Sequence, residues 1–256
     1  MTARIAPTLD LELDLLAGAP AGALLAGVDE VGRGALGGPV SVGVAMVDAT
    51  AGPVPAGLAD SKVLRPAARD ALCAPVRGWV RGVAVGHAEA DEIDRFGILG
   101  GLRLAAARAF AELAELRLRA RVVLLDGTHD WLTPPPVLFE EFVDGTDAVA
   151  NSEIPLDVAS YLPAAGVRTV RKGDVTCASI AAASVLAKVT RDALMAALPE
   201  DGYGWAAHKG YGSATHLAAL RALGPGPLHR RSWRLPQREG DAAPVAGVPG
   251  GVADGA

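Results

Sequence analysis

The chain has 256 residues, of which 50% are hydrophobic and 21% charged, with a formal net charge of −5. That is enough apolar surface for one full core, and it excludes a chain disordered throughout. Its two cysteines, Cys73 and Cys177, stand far apart and match no ligand spacing. A disulfide scaffold and a zinc–thiolate site are thereby excluded, and a reducing, cytoplasmic setting is expected. The opening residues carry Asp10, Glu12 and Asp14 and lack the layout of a signal peptide. No apolar run is long enough to span a membrane.

The modest net charge conceals an asymmetry. Residues 1–164 hold 13 Lys/Arg against 22 Asp/Glu, whereas residues 165–235 hold 10 against 4. A basic C-terminal third behind an acidic body suggests an anionic partner on one face.

In chain order, residues 24–30 form a short apolar run that ends in two acids and read as a strand. Residues 38–48 alternate, are rich in valine and read as a second strand. The glycine-rich link between them is a hairpin-like connection. A Pro/Gly loop over 52–57 precedes Asp60, Ser61 and Lys62. Pro66 opens a helix reaching about Trp79, since proline is pre-organised for the first helical position. A third strand over 80–88 is followed by two helical stretches, about 89–95 and 98–119. The apolar run 121–127 reads as a buried strand stopped by Asp126 and Gly127. Residues 128–165 are proline-rich and irregular, and 167–174 give another short strand ending at Asp174. The alanine-rich stretch 176–198 is a strong helix, and a further helix spans about 214–223. The class is α/β, with a helical C-terminal part. Residues 1–23 and the low-complexity tail 236–256 are expected to be loosely ordered, leaving 24–235 as the domain.

Gly32-Arg33-Gly34-Ala35-Leu36-Gly37 matches the dinucleotide-binding pattern G-x-G-x-x-G after a strand. The context rejects it. Such glycines should open a helix, yet a proline and a valine-rich strand follow, and Asp29 and Glu30 would face the phosphates.

Those two acids suggest a different chemistry. Asp29, Glu30, Asp126 and Asp174 each fall where an apolar strand ends, and strand ends can converge on one cleft. Unaided, such carboxylates repel and some must take up protons. Hard divalent ions relieve this, and two of them can activate water and steady a leaving oxygen in phosphodiester cleavage.

The blocks GVDEVGRGALGGPV (27–40), DSKVL (60–64), VVLLDG (122–127), KGD (172–174), ASIAAASVLAKVTRD (178–192), YGWAAHKGYGSATH (203–216) and HRRSW (229–233) occur in the order of the ribonuclease HII family, which the chain closely resembles. The resemblance implies a ribonuclease H-like mixed sheet flanked by helices. It implies Asp29, Glu30, Asp126 and Asp174 as catalytic metal ligands for Mn²⁺ or Mg²⁺, two ions being expected during catalysis. It further implies Gly32, Arg33 and Gly34 as the turn that senses a 2′-hydroxyl together with Tyr211, with glycine allowing a sugar to approach closely. Ser61 and Lys62 would contact phosphate. Lys188, Lys209, His208, Arg230 and Arg231 would line the duplex, and Tyr203 would pack. Asp192, too far along its helix to reach the metals with Asp174, is assigned to Lys188 four residues before it.

The implied activity is hydrolysis of RNA in RNA–DNA hybrids and cutting 5′ of ribonucleotides embedded in duplex DNA, leaving 3′-hydroxyl and 5′-phosphate ends. The implied partners are those nucleic acids, with no membrane, and the chain is expected to be a monomer. A non-catalytic hybrid-binding protein is the competing class, and the presence of all four carboxylates argues against it. His87 and His129 have no partner pattern and are expected to be structural.

Overall fold

The computed structural model describes residues 6–133, 154–163 and 166–238. Strand β1 (Leu24–Val31) pairs antiparallel with β2 (Val40–Asp48), and β2 pairs antiparallel with β3 (Gly82–Ala88). Strands β4 (Ala120–Asp126) and β5 (Val167–Val170) run parallel to β1, giving the order β3-β2-β1-β4-β5. The sheet is mixed, and helices cover both faces.

The pleat divides the core in two. Val40, Val42, Val44 and Met46 of β2 join Ala26 and Val28 of β1 on the face covered by α3 (Ala90–Glu115). Leu25, Ala45 and Val47 point the other way, toward α6 (Ala178–Ala196). The alanines of α6 do more than favour helix. Ala178, Ala181, Ala182, Ala183 and Ala187 are buried against the sheet, where a Cβ on Gly27 or Gly43 would collide with the helix backbone. Small residues on both sides let helix and sheet approach closely.

The two helical stretches expected before β4 make up α3, which breaks at Gly97, the residue between them, where φ is +69°. Helix α2 (Pro66–Trp79) begins at the predicted proline.

Two boundaries differ from the sequence reading. Strand β5 stops at Val170; Lys172 turns left-handed at φ 58°, and Asp174 lies in the first turn of the short helix α5 (Gly173–Thr176). Residues 6–23, read as loosely ordered, are docked instead. Helix α1 (Asp10–Leu16) buries Leu16, and Glu12 is fully buried, accepting hydrogen bonds from the Ser179 amide and hydroxyl at 2.9 and 2.8 Å. A carboxylate there satisfies an otherwise free amide in the first turn of α6. That pairing spans 167 residues, so the local pattern does not reveal it.

The TPPP and FEEFVDGTD stretches lie almost wholly outside the described residues, as does the tail from 239 onward. Among the described residues, no helix is long and apolar enough to cross a membrane.

Candidate active site

Because β1, β4 and β5 are parallel, their C-terminal ends share one edge of the sheet. Val28 pairs with Leu125, which sets Asp29 level with Asp126, and Asp126 in turn pairs with Val170. The left-handed turn at Lys172 then brings Asp174 back, its amide 3.3 Å from Asp126 Oδ1. Gly173 lies between them, where a Cβ would crowd Ile180 and Asp126. The four predicted carboxylates are thus gathered along one edge, Asp29 and Glu30 from β1, Asp126 from β4 and Asp174 from α5 just beyond β5.

Asp29 and Asp174 are buried, and Glu30 and Asp126 are partly buried. Burial pushes Asp29 up to about 8, against a hydrogen bond from Ser184, and repulsion by Asp126 and Glu30 adds to the rise. Burial likewise raises Asp126, and the charge of Asp174 adds to it. Burial raises Glu30 too, with Arg33 opposing. The cluster is short of positive charge. Lys62 supplies some, with Nζ 2.9 Å from Asp174 Oδ2. Burial works against its ammonium, but the bond to Asp174 and the nearby acids hold it above the ordinary lysine range.

The donor chemistry fits Mg²⁺ or Mn²⁺, since the converging groups are carboxylate oxygens that destabilise one another without a cation. Among the described residues, no three already close around one point as a finished shell. Asp29, Glu30, Asp126 and Asp174 are the residues that would hold the metal.

Ser61 does not reach outward as expected. It is buried, and its hydroxyl lies 2.8 Å from that of Ser184. With Ser184 donating to Asp29, the Ser61 hydroxyl donates to Ser184, so its position favours holding a carboxylate over touching phosphate. Lys62, in contrast, has a largely exposed side chain that can meet substrate.

The turn after β1 runs directly into β2 without opening a helix, in keeping with the rejection of the dinucleotide reading. Gly32 has φ +84°, and a Cβ on it would strike the Arg191 guanidinium, so it serves the fold from behind. Gly34 has open space where a Cβ would stand, leaving that side of the turn free for a ligand. The Gly32 amide donates to the Tyr211 hydroxyl at 3.2 Å, and Arg33 Nη1 lies 3.4 Å from Glu30 Oε1. The Tyr211 ring is partly exposed. It sits 5.4 Å from the Arg191 guanidinium and 6.0 Å from Lys188 Nζ.

The basic residues divide by burial. Lys188 pairs with Asp192 at 2.7 Å, as the spacing predicts. Lys209 has φ 55°, and its carbonyl accepts from Arg191 at 3.0 Å. Arg231 is exposed. Arg230 is fully buried and donates to the carbonyls of Gly32, Arg33 and Gly38, so it does not line a duplex. His208 is also turned inward, stacked on His216 with ring centroids 4.1 Å apart. Tyr203 packs as expected, its hydroxyl on the Gly224 carbonyl at 2.7 Å. His87 is 2.7 Å from the Ser41 hydroxyl, in keeping with a structural role.

Sequence reasoning missed Ser184, Arg191 and the His216–His229 pair. Ser184 and Arg191 lie inside a quoted block, and a polar side chain on the sheet-facing stripe of an alanine helix was the available signal.

Solved structures share this architecture. The crystal structure of ribonuclease H2 from Pyrococcus horikoshii matches with a TM-score of 0.56 and 25% identity, covering 82% of this chain and 94% of that one. The ribonuclease HII of Archaeoglobus fulgidus, solved with PCNA, gives a TM-score of 0.57 at 20% identity, covering 84% and 97%, and shows the fold alone. The fold is therefore ribonuclease H-like, and the carboxylates gathered along one edge of its mixed sheet have the donor chemistry of a divalent-metal site.

The sequence comparisons narrow this. The profile of ribonuclease HII matches residues 26–235. Ribonuclease HII of Streptomyces coelicolor is 44% identical over 82% of this chain and 76% of its own length. That of Geobacter sulfurreducens is 43% identical over 82% of both. The chain belongs to the ribonuclease HII family, and is accordingly a metal-dependent endonuclease of the ribonuclease H type.

Proposed function

We propose that the protein cleaves RNA in RNA–DNA hybrids and also cuts duplex DNA on the 5′ side of an embedded ribonucleotide. The observation that carries the finer reading is the link from sensor to acid. Gly32 bonds Tyr211, and the next residue, Arg33, reaches Glu30. A sugar pressed on the turn by the Tyr211 ring would thus be registered against the carboxylates.

Asp29, Glu30, Asp126 and Asp174 would bind two divalent ions, Mn²⁺ or Mg²⁺. When bound, these would lower the pKa of water and stabilise charge on the leaving oxygen. The chain's own residues do the rest. Ser61 and Ser184 fix Asp29, Asp126 receives the Asp174 amide, and Lys62 is placed to move between Asp174 and a phosphate. The Gly34 side of the turn faces the 2′-hydroxyl, a contact available only where a ribonucleotide sits. Water oxygen bonds to phosphorus, the bond from phosphorus to the upstream 3′-oxygen breaks, and that oxygen takes up a proton. The ends are a 3′-hydroxyl and a 5′-phosphate on the ribonucleotide.

Lys188, Lys209 and Arg231 would contact the duplex backbone, giving affinity without sequence reading. We place the protein in the cytoplasm as a monomer, a setting in keeping with its two free cysteines.

The test is incubation of a duplex carrying one ribonucleotide with Mg²⁺ or Mn²⁺, followed by mapping of both ends. Cutting on the 5′ side is expected. Cleavage of continuous hybrids alone would overturn the embedded-ribonucleotide reading.

A further inference from the structure

Behind Tyr211 lies a buried group of histidines that the chemistry above does not use. His216, on α8 (Ala214–Leu223), is fully buried, and His229 is 1% exposed. Their Nε2 atoms are 3.0 Å apart. His216 Nδ1 is 3.0 Å from the carbonyl of Tyr211, and His229 Nδ1 is 3.0 Å from the amide of Gly226.

The protons follow from the backbone. An amide can only donate, so His229 Nδ1 carries a lone pair and, in the neutral ring, its Nε2 carries the hydrogen. That hydrogen points at His216 Nε2, which must then accept. His216 keeps its hydrogen on Nδ1, and a carbonyl is there to receive it. Every nitrogen in the pair has one role, and a second proton on either ring would meet a donor head-on. His208, stacked on His216, is fixed the same way: Gly210 donates to its Nδ1 and its Nε2 faces the Tyr203 carbonyl. Burial and the neighbouring histidines lower both His216 and His229, in keeping with neutral rings.

We propose that His216 and His229 are positioning residues that form a one-way hydrogen-bond relay from Gly226 to the Tyr211 carbonyl and so set the Tyr211 ring against the Gly32 turn. The inference rests on the reading of Tyr211 as the sugar press. The same stretch of chain is laced to that turn from both sides. Leu36 donates to Gly210, Gly38 to Leu228, and Arg230 to Leu36. With turn and backbone both anchored, the Tyr211 carbonyl is the point where α8 controls the ring.

Two measurements test this on the full chain. Long-range ¹H–¹⁵N correlation on histidine-labelled protein at pH 7 should show a neutral Nδ1–H tautomer for His216 and a neutral Nε2–H tautomer for His229. The opposite tautomer at either ring overturns the relay whatever the activity. The second compares initial rates on a single-ribonucleotide duplex and on a continuous hybrid for His216→Phe, which keeps a flat ring and loses both nitrogens. The rate on the single-ribonucleotide duplex relative to that on the hybrid should fall about 2- to 13-fold, the net worth of one hydrogen bond, in the same sense as for Tyr211→Ala, which removes the ring that presses a lone ribose on the turn. Equal slowing of both substrates means that His216 only packs, and the proposal fails. If His216→Phe does not fold, His229→Phe makes the same comparison, and the wild-type tautomers decide independently. If Tyr211→Ala itself leaves the ratio unchanged, it is the Tyr211 reading that fails.

Discussion

Arg230 offers a demanding test of how the turn after β1 is held. Its guanidinium is fully buried and donates to Gly32 at 2.8 Å, to Arg33 at 2.9 Å and to Gly38 at 3.0 Å. Arg230→Met keeps most of the volume, so little cavity forms, but it leaves three carbonyls without that donor, of which only Gly32 keeps another, the Ala35 amide at 3.2 Å. An orphaned buried acceptor costs about 1–3 kcal/mol, and such losses in one cluster add incompletely. Removing a buried cation also relieves its desolvation and its repulsion by Arg191, the effects that lower Arg230 to about 10. The balance is a loss of about 3–4 kcal/mol, a large part of a typical total of roughly 5–15 kcal/mol. Arg230→Lys keeps the charge but not the planar fork, and should lose about half as much. Urea unfolding followed by tryptophan fluorescence measures both. A loss under about 1 kcal/mol for Arg230→Met would refute the claim that this side chain holds the turn.

Asp126→Asn should lower Mn²⁺-dependent cleavage at least a hundred-fold while hybrid binding survives, as gel shift and rate assays can show; activity within a few-fold of wild type contradicts its place among the ligands. Hybrid affinity should fall steeply with salt although the chain is acidic, by roughly 0.9 in log–log slope per phosphate contact, and Lys209→Ala should flatten the slope by about one such step. Burial, with the neighbouring His216, pushes His229 from the ordinary 6.5 down to about 4. The unfolded chain therefore takes up this proton first as pH falls, so stability is full above 6.5 and is lost down to about 4. At about 1.4 kcal/mol per pH decade this amounts to roughly 3 kcal/mol, and His229→Phe should flatten that part of the urea-midpoint profile.

Much of this protein is written locally. Period-two valines define β2, Pro66 opens α2 on its predicted residue, and the alanine run of α6 is unmistakable. Asp29, Glu30 and Asp126 stood out because acids near the ends of apolar strands contrast with their surroundings, whereas Asp174 lies past its strand on α5 and was singled out with the family resemblance. The Lys188–Asp192 pair was legible because a helix places residues four apart on one face. The tertiary structure decided which polar side chains the fold itself uses. Arg230 reads as a duplex contact and is buried across 198 residues from the carbonyl of Gly32. Ser61 reads as a phosphate contact and joins Ser184 across 123 residues. Glu12 reads as part of a loosely ordered N-terminal segment and caps α6. In each case the residue type is ordinary and the partner is remote. Periodicity records which face of an element is apolar, but a polar side chain's partner is fixed only when the whole chain has closed around it.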